Sequence, residues 1–133
     1  MKFVDANYFL RFFLNDNHRQ HLVASALFAK ASLGKANLCT DLIVIFEVYW
    51  VLKKYYGAKH VFVKQTIEDI CHMDFVVLSE RSLLNIAITN LASFNYDLED
   101  SYHFFFAQSQ KAKEFATFDK KIKNKFTLFL KNS

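Results

Sequence analysis

An α/β domain built on a mostly parallel sheet is the fold class this sequence predicts, on three observations. Short apolar runs alternate with helical patterns along the chain, as they do when parallel strands are joined by crossover helices. With 0 Pro and 2 Gly the chain has too few turn residues for an all-β domain. Its 133 residues, 53% hydrophobic and 23% charged, suit one globular domain over residues 1–133 and exclude disorder.

Each element has a local reason. Phe3-Val4 reads as a short buried strand running into a helix from Ala6 to Leu14, which Asn15-Asp16-Asn17 breaks. A second helix spans His18 to Leu33, with Leu22, Ala26, Leu27, Ala29 and Lys30 at helical spacing, and Gly34 is its left-handed stop. Residues 37–40 form a second strand, and Asp41 opens a long apolar helix from Leu42 to Tyr56 that Gly57 ends. A helix over Lys59 to His72 leads to the strand Phe75-Val76-Val77-Leu78, and Ser79 is a suitable cap for a helix from Glu80 to Ser93. Asn95-Tyr96-Asp97 is a turn before a helix from Leu98 to Lys111. Residues 114–117 read as a fourth strand, Asp119 to Lys125 as a short helix, and Thr127-Leu128-Phe129-Leu130 as a last strand.

Composition narrows the function classes. The net charge of +4 allows a polyanionic partner without requiring one. The two cysteines, Cys39 and Cys71, lie far apart beside apolar residues and read as buried reduced thiols. No apolar run approaches the roughly 18 residues needed to cross a bilayer, and Asp5 and Arg11 interrupt any N-terminal signal, so the expected compartment is the cytoplasm. There is no Gly-rich phosphate loop, no GxSxG and no zinc spacing.

Four acidic residues occupy matched places. Asp5 ends the first strand, Glu47 lies inside the helix after the second, Asp100 stands in the first turn of a helix, and Asp119 follows the fourth strand. Clustered carboxylates repel one another, so such a set makes sense around a divalent cation. Oxygen ligands alone suit Mg²⁺ or Mn²⁺, and either ion activates water and neutralises charge on a phosphodiester. Capping is the competing explanation. Asp5 and Asp119 stand where Asp caps helices, and Asp97 to Asp100 has capping-box spacing with Asp97 as the cap. Glu47 is too deep in its helix to cap, and Ile43, Val44, Trp50 and Val51 surround it at helical spacing. An ionised glutamate on an apolar face is costly unless paired or metal-bound.

The segments Phe3-Val4-Asp5-Ala6-Asn7, Glu47-Val48-Tyr49-Trp50-Val51-Leu52, Asp97-Leu98-Glu99-Asp100-Ser101-Tyr102 and Ala116-Thr117-Phe118-Asp119-Lys120 resemble the motifs of PIN-domain ribonucleases, and most closely those of VapC-like toxins of bacterial toxin–antitoxin pairs. The resemblance implies a three-layer α/β/α domain with a five-stranded parallel sheet of order 3-2-1-4-5. It implies Mg²⁺- or Mn²⁺-dependent endonucleolytic cleavage of RNA, an antitoxin protein as partner, and a homodimer. Asp5, Glu47, Asp100 and Asp119 match the family's acidic positions, and Asn7 and Thr117 its supporting polar ones. Ser101 and the bulky His103-Phe104-Phe105-Phe106 depart from the usual pattern.

Two other readings belong beside this one. A non-catalytic PIN-fold module would use its aromatic surface to bind a protein. A phosphatase built on Asp5 would need a second Asp two residues on, where Asn7 stands. His18 and His21, at i and i+3, lack a third ligand and fit a solvated helix face, while Arg11, Arg81, Lys53, Lys54, Lys111, Lys113 and Lys120 are candidate phosphate contacts.

Overall fold

The computed structural model describes residues 1–91 and 96–133. The chain divides into two compact units, Met1–Arg81 and Ser82–Ser133. The expected end of a helix at Ser93 and the Asn95 turn lie outside the described residues.

The first unit is a parallel sheet with helices. Strands β1 (Lys2–Phe3), β2 (Leu38–Thr40) and β3 (Val76–Leu78) pair in the order β1-β2-β3. Phe3, Cys39 and Val77 stand in one row of the register. On β2 and β3 the alternation is plain: Leu38, Thr40, Val76 and Leu78 are buried, while Cys39 is half-buried and Val77 exposed. The expected pair of buried thiols is thus half right, and burial pushes the Cys71 thiol up to about 11.

Local signals set the helices of this unit. Asp5 caps α1 (Ala6–Phe13), whose Ala6, Phe9 and Leu10 are buried at i, i+3 and i+4. Asn17 caps α2 (His18–Ser32) by accepting from the Gln20 N–H at 3.0 Å. Its buried stripe is Ala24, Phe28 and Ala31, so Leu22 faces out instead of in. Gly34, at φ 76°, ends α2, and the Lys35 N–H closes back on the Lys30 carbonyl at 3.0 Å. Asp41 caps α3 (Leu42–Trp50) through the Val44 N–H at 2.9 Å. The expected single helix to Tyr56 changes character at Val51, where a π-helical turn (Val51–Tyr55) curls Lys53 and Lys54 back over the Trp50 ring at 5.3 and 5.5 Å. Helix α4 (His60–Cys71) follows, and Arg81 donates to the carbonyls of Cys71 and Val76.

The second unit is helical among the described residues, with α5 (Arg81–Thr89, whose first residue belongs to the first unit), α6 (Leu98–Ser109) and α7 (Lys120–Lys131). Glu80 adopts φ 58°, so α5 starts at Arg81 and Ser79 does not cap it. Tyr96, Phe104, Phe126 and Phe129 form a buried aromatic core, with Phe105, Phe115 and Ile122 packed around it.

In place of the expected five-stranded sheet, three strands pair among the described residues. Residues 114–117 take no regular conformation. Residues 127–130 belong to α7, which Asp119 caps. Phe126 and Phe129, with Ile122 four residues before Phe126, bury one helical face in the aromatic core. A four-residue apolar run fits either period, and this packing selects the helix.

Candidate active site

In the first unit, β1 hands over to α1 through a pinned turn. The Val4 N–H donates to the Cys39 carbonyl at 2.8 Å, and the Thr40 hydroxyl donates to the Val4 carbonyl at 2.8 Å. Asp5 follows directly. Its Oδ1 accepts from the Tyr8 N–H at 3.2 Å, so the carboxylate caps α1 while staying exposed. A cavity of about 520 Å³ opens beside it, and Asn7 lines the same space. Thr40 was not among the residues singled out from the sequence. A polar residue ending an otherwise apolar strand was the available signal.

Glu47 departs from expectation. The buried residues of α3 are Val44, Ile45, Val48 and Tyr49. Glu47 is exposed, and its neighbour one turn back, Ile43, is 78% exposed. Exposed in this way, Glu47 carries no burial cost, contrary to the expectation of a costly glutamate on an apolar face. The helix is apolar nearly all round, so spacing by itself did not reveal which side faces the core.

In the second unit, Asp100 is half-buried near the start of α6. Burial, then the neighbouring Asp97, push its carboxyl above the usual aspartate range, against the opposing pull of Lys125 and His103. The adjacent Ser101 is fully buried and donates to the Ala87 carbonyl at 2.7 Å, fixing α6 against α5. Its departure from the family pattern therefore has a structural use. Asp119 is exposed and accepts from the N–H groups of Lys121 at 2.9 Å and Ile122 at 3.3 Å. Its own N–H donates to the Thr117 hydroxyl at 3.0 Å. Asp119 does not follow a strand among the described residues; it ends an irregular stretch.

The remaining candidates divide by what they touch. The Nδ1 of His21 bonds the Arg11 carbonyl at 2.9 Å, and that of His18 faces Asn15 Oδ1 at 3.3 Å. Arg11 is committed to both carboxylate oxygens of Asp16 at 2.7 Å, and the Tyr56 hydroxyl donates to Asp16 at 2.9 Å. Hydrogen bonding to Arg11 holds the Asp16 carboxyl below its usual range. Arg81 holds backbone carbonyls, as described above. Arg11 and Arg81 thus serve the fold.

Within either unit, among the described residues, no three His, Cys, Asp or Glu side chains are grouped to hold a metal ion. No helix there is long and apolar enough to cross a membrane. The class defined by these elements is an α/β protein with a parallel sheet whose Asp5 and Asp119 carboxylates open helices. A family model for the PIN domain matches residues 2–125, and the chain belongs to that family. The PIN domain is typically a metal-dependent nuclease fold, and PIN nucleases bind RNA. No curated protein and no solved structure matches the chain.

Proposed function

We propose that this protein is a metal-dependent endoribonuclease and the toxin of a toxin–antitoxin pair, acting in the cytoplasm as one domain over residues 1–133. The observation that carries the reading is the family match over residues 2–125, a span that includes Asp5, Glu47, Asp100 and Asp119. A small antitoxin and a second copy of the chain are the partners this reading adds.

Each of the four carboxylates is a hard oxygen donor of the kind that Mg²⁺ or Mn²⁺ takes. Burial first, then Asp97, raises the Asp100 carboxyl, and a cation beside it would oppose that shift. Such an ion, when bound, supplies an acidified water and neutralises charge on the phosphodiester. The protein's own contribution is placement. Thr40 fixes the turn before Asp5, and Thr117 fixes the backbone of Asp119. Asn7, exposed on the first turn of α1, borders the same cavity as Asp5 and is suited to hold substrate or water there. Hydrolysis by attack of water leaves a 5′-phosphate and a 3′-hydroxyl.

Asp5→Asn tests the proposal, because Asn caps a helix as well as Asp does and removes only the charge. RNA cleavage in Mn²⁺ is expected to fall about 100-fold or more, with no loss in melting temperature. Cleavage at the wild-type rate would overturn the assignment.

One observation favours the alternative of a non-catalytic protein-binding module: Asp5 and Asp119 each cap a helix, a role that needs no metal. Calorimetric titration with Mn²⁺ separates the two. Carboxylate-dependent heat supports the nuclease, and its absence supports the module.

A further inference from the structure

The cavity beside Asp5 lies between α1 and the first turns of α2, and its lining has a composition of its own. Asp5, Asn7 and Tyr8 come from the start of α1, and Arg19, Gln20 and Val23 from α2. Among the described residues of the lining, Asp5 is the only carboxylate. Arg11 also borders the space, but its charge is spent on Asp16. Arg19 is exposed and makes no ion pair among the described residues. Among the described residues, Arg19 is therefore a cation of this lining without an ion-pair partner, and it shares the cavity with the acid assigned to the metal.

We propose that this cavity seats a nucleotide flanking the scissile phosphate of a single-stranded RNA, with the Arg19 guanidinium on the neighbouring phosphate. The inference rests on the nuclease reading of Asp5 and adds a substrate-positioning residue to it. The physical fit has four parts. An RNA strand crossing a metal at Asp5 must carry its next phosphate a short distance away, and a planar guanidinium matches phosphate oxygens better than any other side chain. Tyr8, partly exposed, offers a ring face for a base, and stacking of this kind tolerates any sequence. Asn7 and Gln20 add amide groups that suit base edges and the 2′-hydroxyl. A volume of about 520 Å³ falls in the ordinary range for sites that hold small ligands. An acidic polypeptide would use the cation but leave the ring and the amides idle, so RNA is the better occupant.

Local structure braces the backbone that carries Arg19. Asn17 caps α2 through the Gln20 N–H, which fixes the turn that carries Arg19. The Arg11–Asp16–Tyr56 link holds the loop between α1 and α2 against the end of the π-helical turn. Arg19 thus projects from a braced corner.

The test is binding of a fluorescent single-stranded RNA decamer in EDTA, where no metal-dependent cleavage runs, with cleavage in Mn²⁺ measured in parallel. Arg19→Ala is expected to weaken binding about tenfold and to reduce the salt slope of log K by about 0.7, the loss of one phosphate contact on a single strand. Lys35→Ala, the same charge removed roughly 20 Å away at the far end of the 15-residue α2, is expected to leave both unchanged. Arg19 is exposed, so its melting temperature serves as the folding control. A wild type that cleaves RNA while Arg19→Ala changes neither binding nor cleavage overturns this inference alone. A wild type that neither binds nor cleaves RNA overturns the nuclease reading with it. Loss of poly-glutamate binding with RNA binding intact also overturns it, in favour of an acidic polypeptide.

Discussion

The two compact units are held together by different chemistry. Met1–Arg81 joins backbone-bonded parallel strands to a largely aliphatic interior, in which Val44, Ile45, Val48, Leu52, Ile67 and Ile70 are buried. Ser82–Ser133 has no strand among its described residues and packs rings instead. Phe104 alone meets Tyr96, Phe115, Phe126 and Phe129 with centroids 5.0 to 5.6 Å away. Strands fix their neighbours by directional hydrogen bonds, so aliphatic residues of modest size can fill the space left over. Helices without a sheet need large side chains to span the gaps between them, and aromatic rings supply that volume. Half of the chain's 16 Phe take part there and in the Phe9–Phe28–Phe12 contacts of the first unit.

The sharpest break in that comparison is Phe104→Ala. Removing the ring at the hub of the cluster should cost about 3–5 kcal/mol, read as a lower urea midpoint. Ile45→Ala, in the aliphatic interior, belongs toward the lower part of the 2–5 kcal/mol span for such truncations. A loss under about 1 kcal/mol at Phe104 would show that the rings do not hold the second unit.

A matched pair of hydroxyls gives the next effect. Thr40 in the first unit and Ser101 in the second each donate to a buried-side carbonyl, at 2.8 and 2.7 Å. Thr40→Val and Ser101→Ala should each cost about 1–2 kcal/mol in thermal unfolding. Only Thr40→Val frees the turn that presents Asp5, so RNA cleavage at a temperature where both variants are folded should fall further for Thr40→Val. Equal cleavage by the two would remove Thr40 from the placement of Asp5.

Acid titration separates the units by sign and has the smallest effect. Asp16 has a carboxyl lowered by its bond to Arg11, so its stabilisation is present above the ordinary aspartate range and is lost as pH falls through the lowered one. Asp100 has a carboxyl raised by burial and by Asp97, so its contribution is full below the ordinary range and is lost as pH rises through the raised one. At neutral pH, Asp16→Asn should therefore lower the melting temperature, by about 1 kcal/mol or less for an exposed pair, and Asp100→Asn should raise it. Both differences from wild type should shrink on acidification. Shifts of the same sign at neutral pH would contradict the two local fields.

Helix starts were legible because their signals are local. Asp5, Asn17, Asp41 and Asp119 each precede a helix and accept from its first turn, and Gly34 ends one at a positive φ. Residues 127–130 and Glu47 were less legible, each for a physical reason. Residues 127–130 fit strand and helix alike until Phe126 and Phe129 met the rings of the second core. Glu47 shares its helix with apolar neighbours on every side, and which side is inward depends on how α3 meets α1 and α4.

The sequence by itself determined the membership of the chain in its family, the order of its helices and the identities of its acids, because caps, stops and motifs act through residues a few positions apart. Tertiary structure decided which face of α3 is buried, that the last apolar run is helical, and that Arg19 shares a cavity with Asp5. Those outcomes depend on contacts between residues far apart in the chain, and an apolar run or an exposed arginine carries no local mark of the partner it will meet.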